Sequence, residues 1–211
     1  MPIYKIIKHK FANGVAVTVL VWKITESVEE LLTNITLKPE SAARFQGMKS
    51  ELHQRGFMSI RHLLAIKNLS DEHLFYDNNG KPFLNNGRHI SISHSFNFSA
   101  IVLSTTNIGI DIEQVREKIA KIAKKFCLAE FEFLNPNDDN YHKKLTAIWA
   151  TKETVFKIEN QKGISFKDHI KVSEFKNISI DATLCFKNEH SFYEMQQIEI
   201  ENFILVFGIK I

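Results

Sequence analysis

Three features of the 211-residue sequence predict an α+β fold. It opens on a hairpin pattern, carries several separated stretches of helical periodicity, and closes on a series of short strand patterns. Apolar residues make up 44% and charged residues 24%. Those proportions exclude a disordered chain, a collagen-like repeat and a coiled-coil rod. The length allows one compact body or two half-sized ones.

The elements follow in order. Tyr4 to Phe11, the turn Asn13-Gly14, and Val15 to Trp22 read as two strands of a hairpin. Ser27 with Glu30 three residues on is a capping box that opens a short helix, Val28 to Leu32. Pro39 suits the first turn of a second helix, and helical patterning returns from Met48 to Ile66. Asp77 to Gly80 and Asn85 to Gly87 are turn signals around Lys81-Pro82-Phe83-Leu84. Strands are predicted at His89 to His94, Phe98 to Ser104 and Ile108 to Glu113. The last alternates Ile108, Ile110 and Ile112 with Gly109, Asp111 and Glu113.

From Arg116 to Phe126 an apolar stripe of Ile119, Ile122, Ala123 and Phe126 opposes lysines, which predicts a helix. Pro136 and the Asn/Asp cluster after it break the chain. A strong helix then spans Tyr141 to Ile158 and ends at Asn160 to Gly163. Four strand patterns complete the sequence, at Ile170 to Phe175, Ala182 to Phe186, Phe192 to Ile198 and Phe203 to Ile211.

Charge and targeting narrow the class. With 27 basic and 24 acidic residues the net charge is +3. This is too mild for a dedicated nucleic-acid binder, and it suits an anionic small molecule or an acidic partner. The longest mainly apolar run, Val15 to Trp22, is too short to span a bilayer, and Met1 to Lys5 lacks a secretory layout. Cys127 and Cys185 are too few for a disulfide framework or a zinc site. A soluble, cytoplasmic protein that engages neither membrane nor nucleic acid is expected.

Asp111 and Glu113, two apart on one strand, project to the same side. Like charges so close repel, and a hard divalent cation relieves that; the alternative is a solvated face at a strand end. On the long helix Trp149, Lys152, Glu153, Phe156 and Lys157 share one stripe, at offsets of 0, 3, 4, 7 and 8. Such a stripe is either an ordinary Glu–Lys pair or a set of charges that are individually paired or serve a ligand. Ser91 to Ser95 crowds hydroxyls around His94, either a phosphate cradle or a structural histidine. Lys81, between Gly80 and Pro82, is a stiffly mounted charge or a solvated turn residue.

Taken in order, Gly80-Lys81-Pro82, Ile92-Ser93-His94-Ser95, Gly109-Ile110-Asp111-Ile112-Glu113 and Trp149 to Lys157 resemble the 4′-phosphopantetheinyl transferases of the Sfp type. The 42 positions from Asp111 to Glu153 and the Phe126…Glu130 pair fit the same pattern. The likeness covers residues 37 to 160. Its one departure is Thr154, where the family has Ala or Ser.

The resemblance implies two similar α/β subdomains related by a pseudo-twofold, 1–105 and 106–211, with coenzyme A in the cleft between them. It implies transfer of the phosphopantetheine arm of coenzyme A to a serine of an apo acyl or peptidyl carrier protein, releasing adenosine 3′,5′-bisphosphate. Asp111, Glu113 and Glu153 are then ligands of Mg²⁺, with Glu153 either the general base or a ligand only. Lys157 serves the leaving phosphate, and Lys152 assists by contacting phosphate. Lys81, Ser93 and His94 bind the coenzyme's phosphates and adenosine, Arg44 its 3′-phosphate, with Arg55 and Arg61 as further candidates. Lys118, Lys121, Lys124 and Lys125 either steer an acidic carrier or form a solvated face. A monomer is favoured. The rival readings are a non-catalytic coenzyme A or carrier-binding module on the same fold, and a metal-dependent phosphohydrolase.

Overall fold

Asn13 and Gly14 turn the chain back on itself, with Gly14 at φ +88°. They join β1 (Lys5–Lys10) to β2 (Ala16–Lys23) in an antiparallel pair. The structure, a computed structural model, describes residues 3–175 and 177–211; Met1 and Pro2, the start of the stretch read for a secretory signal, lie outside the described residues. The chain divides into two units, Met1–Thr106 and Asn107–Ile211.

In the first unit the Ser27 hydroxyl accepts the Glu30 amide and the Glu30 carboxylate accepts the Ser27 amide, which opens α1 (Val28–Leu32) as expected. Pro39 begins α2 (Pro39–Gln46), and α3 (Glu51–Ala65) follows. A hairpin of β3 (Leu74–Tyr76) and β4 (Pro82–Leu84) then leads to β5 (His89–Ser95) and β6 (Phe98–Ser104). The antiparallel sheet runs β1-β2-β6-β5. Met58, Leu63 and Leu64 of α3 share a core with Leu20, Trp22, Ile101 and Leu103 of the strands.

The second unit is an antiparallel sheet in the order β7-β11-β10-β9-β8, with one long helix laid on it. Its strands are β7 (Ile108–Gln114), β8 (Ile170–Val172), β9 (Ser179–Phe186), β10 (Glu189–Ile200) and β11 (Phe203–Lys210). Between β7 and β8 lie α4 (Lys118–Ile122) and α5 (Tyr141–Glu159). β9 and β10 are longer than the patterning predicts. Lys187 and Asn188 both take positive φ, 52° and 65°, and close a two-residue hairpin that pairs Phe186 with Glu189.

The helix expected over Arg116 to Phe126 is broken. α4 ends after five residues and a tighter turn, Ala123–Lys125, continues it, because Ile122 leaves the helical region at φ −109°, ψ 0°. Two β-branched isoleucines in a short exposed segment hold a helix weakly. Ala123 and Phe126 of the expected stripe are buried, while Ile122 is exposed. The two units together form a mixed α/β protein. Among the described residues no helix is long and apolar enough to cross a membrane.

Candidate functional site

α5 packs on β7 and β11 at a distance set by the absence of a side chain. A Cβ built on Gly109 would stand 2.5 Å from the Thr154 carbonyl oxygen, so only glycine lets the helix settle there. Gly208 lies directly opposite on β11, and Met195 fills the space above it. The Thr154 hydroxyl donates to Ala150 O at 2.8 Å and reaches Val206 O at 3.3 Å. The side-chain amide of Asn107 donates to Ile158 O at 2.9 Å and secures the last turn. Asn160, in the left-handed region, ends the helix.

This packing brings Lys157 onto β7. Its ammonium donates to Asp111 Oδ1 at 2.7 Å and to Ile110 O at 2.9 Å. Asp111 is buried and Lys157 half-buried. Glu153, one turn earlier on the same helix, has its carboxyl pushed up to about 7. Burial is the main cause, the Asp111 and Glu113 charges add to it, and Lys157 opposes them. Glu153 thus feels two like charges from β7 and one opposing ammonium from its own helix.

Hard oxygen donors carried on a strand and a helix fit a hard divalent cation such as Mg²⁺. The three-ligand cage implied by the resemblance is not assembled in this arrangement, in which Lys157 holds Asp111. Among the described residues no three His, Cys, Asp or Glu side chains form a ready metal-binding group. Mg²⁺ needs only one or two carboxylates when waters and phosphate oxygens complete its shell.

Lys152 departs from expectation. It is wholly buried, and its ammonium is taken up by Glu130 and by the carbonyls of Phe126, Phe166 and Ile170. Burial lowers its pKa and Glu130 opposes the fall. This corrects the expected contact to phosphate: every donor is spent inside the protein. The aromatic members of the same stripe also turn inward. Trp149 packs against Phe126 and Phe166, at 5.2 and 5.4 Å between ring centroids, and Phe156 against Phe166 at 5.7 Å.

The first unit carries a separate cavity of about 370 Å³. Arg44 of α2, His53 and Phe57 of α3, Tyr76 of β3 and His94 of β5 line it, with Gly80 and Pro82 at its edge. The Arg44 guanidinium lies 4.9 Å from the Tyr76 ring centre and 5.7 Å from that of Phe57. Gly56 leaves room for the His94 imidazole, whose Cγ would be 3.1 Å from a Cβ there. The backbone of Lys81 is pinned, its amide donating to Asp77 Oδ1 and its carbonyl accepting from the Asp77 amide.

Three expected contacts, Lys81, Arg55 and Ser93, are not among the residues lining this cavity, although Gly80 and Pro82 on either side of Lys81 are. His53, Phe57, Ile60 and Arg61 follow one stripe of α3, whereas Arg55 falls off it and donates to Ile24 O at 3.2 Å. Ser93 is buried, and strand alternation puts it on the opposite face from Ile92 and His94, which do line the cavity. Arg61 lines the wall but is itself tied to Asp71. The sequence reading missed His53 and Tyr76. His53 had a signal, four residues before Phe57 and eight before Arg61 on the α3 stripe. Tyr76 had none, since its place depends on the β3–β4 pairing.

Residues 107–207 match the family model described as the 4′-phosphopantetheinyl transferase superfamily. The segment includes Asp111, Glu113, Lys152, Glu153 and Lys157 and lies within the second unit. A relative, 4′-phosphopantetheinyl transferase gsp of Aneurinibacillus migulanus, is 29% identical over 134 residues. That alignment covers 60% of this chain and 56% of the relative, so the match spans little more than half of the relative's length.

Proposed function

We propose that the protein moves the 4′-phosphopantetheine group of coenzyme A onto a serine hydroxyl of an apo acyl or peptidyl carrier protein. The family match over the second unit and the name of the relative support phosphopantetheine transfer as the chemistry. The observation that carries the reading is Glu153: a carboxyl held near neutrality by burial and by Asp111, one turn from Lys157. A base poised near 7 is both ionised in part and strong enough to take a hydroxyl proton.

In this reading Glu153 removes the serine proton. The serine oxygen bonds to the phosphorus that bears the pantetheine arm, and the bond from that phosphorus to the bridging oxygen breaks. Adenosine 3′,5′-bisphosphate leaves, and the Lys157 ammonium donates to its new terminal phosphate oxygen. Asp111, Glu113 and Glu153 are the groups that would hold Mg²⁺, which supplies neutralisation of charge building on the phosphoryl oxygens. The first unit takes the nucleotide end of the coenzyme: Arg44 and Lys81 its phosphates, with Tyr76 and His94 walling the cavity. Lys118, Lys121, Lys124 and Lys125 are exposed and suit an acidic carrier. The proposed reaction is a cytoplasmic one, with the protein acting as a monomer.

Incubation with coenzyme A, Mg²⁺ and an apo carrier protein, followed by intact-mass measurement of the carrier, tests this. A phosphopantetheine-sized gain on the serine is expected. Glu153→Gln should lower the rate by about 10²–10⁴-fold with the fold intact by circular dichroism. Coenzyme A binding without transfer would instead make the protein a binding module. Cleavage of coenzyme A without any carrier would make it a phosphohydrolase.

A further inference from the structure

Glu130 and Lys152 form an ion pair at 2.7 Å with side-chain exposures of 1% and 0%. The ammonium meets four acceptors, Phe126 O at 2.6 Å, Ile170 O at 2.7 Å, Phe166 O at 2.9 Å and Glu130 Oε1. Three N–H groups cannot serve four oxygens singly, so one is shared. Glu130 is as fully used: Oε1 also accepts the Val172 amide at 2.9 Å, and Oε2 accepts the Leu128 amide at 3.0 Å. One pair thus gathers α5, the Phe126–Glu130 stretch, the Phe166–Ile170 stretch and the β8 strand.

A sealed pair of this kind is a poor source of stability, because the desolvation of two charges offsets their attraction. Its directional bonds do something an apolar contact does not, which is to fix the rotation of a helix about its own axis. Successive helical residues are turned by ~100°. Pinning the direction of Lys152 therefore also sets the direction of Glu153 beside it and of Lys157 one turn beyond. Ring packing of Trp149 and Phe156 on Phe166 leaves room to slide; hydrogen bonds to three named carbonyls do not.

We propose that Glu130 and Lys152 are positioning residues, a clamp that holds α5 in the rotation at which Glu153 and Lys157 face Asp111. The functional half of this proposal rests on the transferase reading. The clamp itself is a statement about the helix alone and is tested without substrate.

The experiment compares wild type with Glu130→Ala, Glu130→Asp and Glu130→Gln. Gln keeps an oxygen for Lys152 and the Val172 amide but loses the charge and sets an amide nitrogen against the Leu128 N–H; Asp keeps the charge but withdraws it by one methylene. In substrate-free protein, amide hydrogen exchange across residues 148–158 should quicken about tenfold or more in Ala and Asp, and by less in Gln, which keeps the oxygen that Lys152 and the Val172 amide share. In the transfer assay kcat should fall up to ~100-fold in Ala, less in Asp and least in Gln, while KM for coenzyme A stays within about twofold. Folded Ala or Asp variants with wild-type exchange and wild-type kcat overturn the proposal. So does a loss of turnover that only follows the unfolded fraction. If Glu130→Ala does not fold, the Asp and Gln pair decides on the same terms. A wild type that transfers nothing defeats the transferase reading, and the exchange comparison still decides the clamp.

Discussion

The first unit buries Arg61 against Asp71 and the second buries Lys152 against Glu130, each pair almost without exposure. Arg61 works by its shape. Its Nε donates to Asp71 Oδ1 at 2.9 Å and its Nη1 to Phe57 O at 3.0 Å, while the guanidinium carbon lies 3.4 Å from the Phe57 ring centre. Asp71 also caps the chain entering α2 by accepting the Lys38 amide at 3.0 Å. Held between Asp71 and the Phe57 ring, Arg61 still forms part of a cavity wall. Lys152 is a point charge in a cage of oxygens and borders nothing open. A buried cation near a site can thus be wall or frame, and the count of acceptors tells which.

Removing one partner should break this contrast most strongly. Asp71→Ala and Lys152→Met are each expected to cost about 3–5 kcal/mol in denaturant unfolding, since each leaves buried polar groups unmet. Their kinetic signatures should differ: Asp71→Ala raises KM for coenzyme A with kcat kept, and Lys152→Met lowers kcat with KM kept.

Glu153 gives a third case, a mostly buried carboxyl whose neighbours are chiefly negative. Its carboxyl, pushed up to about 7 from the ordinary value of 4.5, keeps the native state binding more protons between those values. The stability this contributes is fully present below pH ~4.5 and lost as pH rises through ~7, amounting to about 3 kcal/mol. Metal-free protein should lose that much on titration from pH 4.5 to pH 7, and Glu153→Gln should flatten the curve.

Exchanging the cations sharpens the contrast at smaller scale. Lys152→Arg overfills the cage and should cost about 1–3 kcal/mol. Arg61→Lys forfeits the stack and the fork, for about 1–2 kcal/mol. Smallest in stability is Arg44→Ala, an exposed position where the change should stay within about 0.5 kcal/mol. Its effect belongs to binding, a rise in KM for coenzyme A of roughly tenfold from one lost charged contact.

Most of the strands and helices were legible because local signals and packing agree. The Asn13-Gly14 hairpin, the Ser27–Glu30 cap, the Phe98–Ser104 strand and the long helix all stand where their patterns put them. The Arg116–Phe126 stripe misled, since apolar spacing says nothing of how weakly Ile119 and Ile122 hold a helix. Asp111, Glu153 and Lys157 were legible as candidates and are brought together across β7 and α5. Lys152 was misjudged for a physical reason. Its partners Glu130, Phe166 and Ile170 lie 22, 14 and 18 residues away, beyond any helical or strand period. The place of Ser93 was not legible from its neighbours, because successive residues on a strand face opposite ways and only Ile92 and His94 line the cavity.

The contact between Gly109 and Thr154 leaves no room for even a methyl group between strand and helix. Interiors so tightly joined are nearly incompressible, so the spacing between those two elements is fixed even though the helix's rotation is held elsewhere. Little reorganisation energy is then left to spend when a substrate arrives. In the proposed transfer, how near the charges on strand and helix stand to one another is settled in advance by the one residue type that has no side chain to offer.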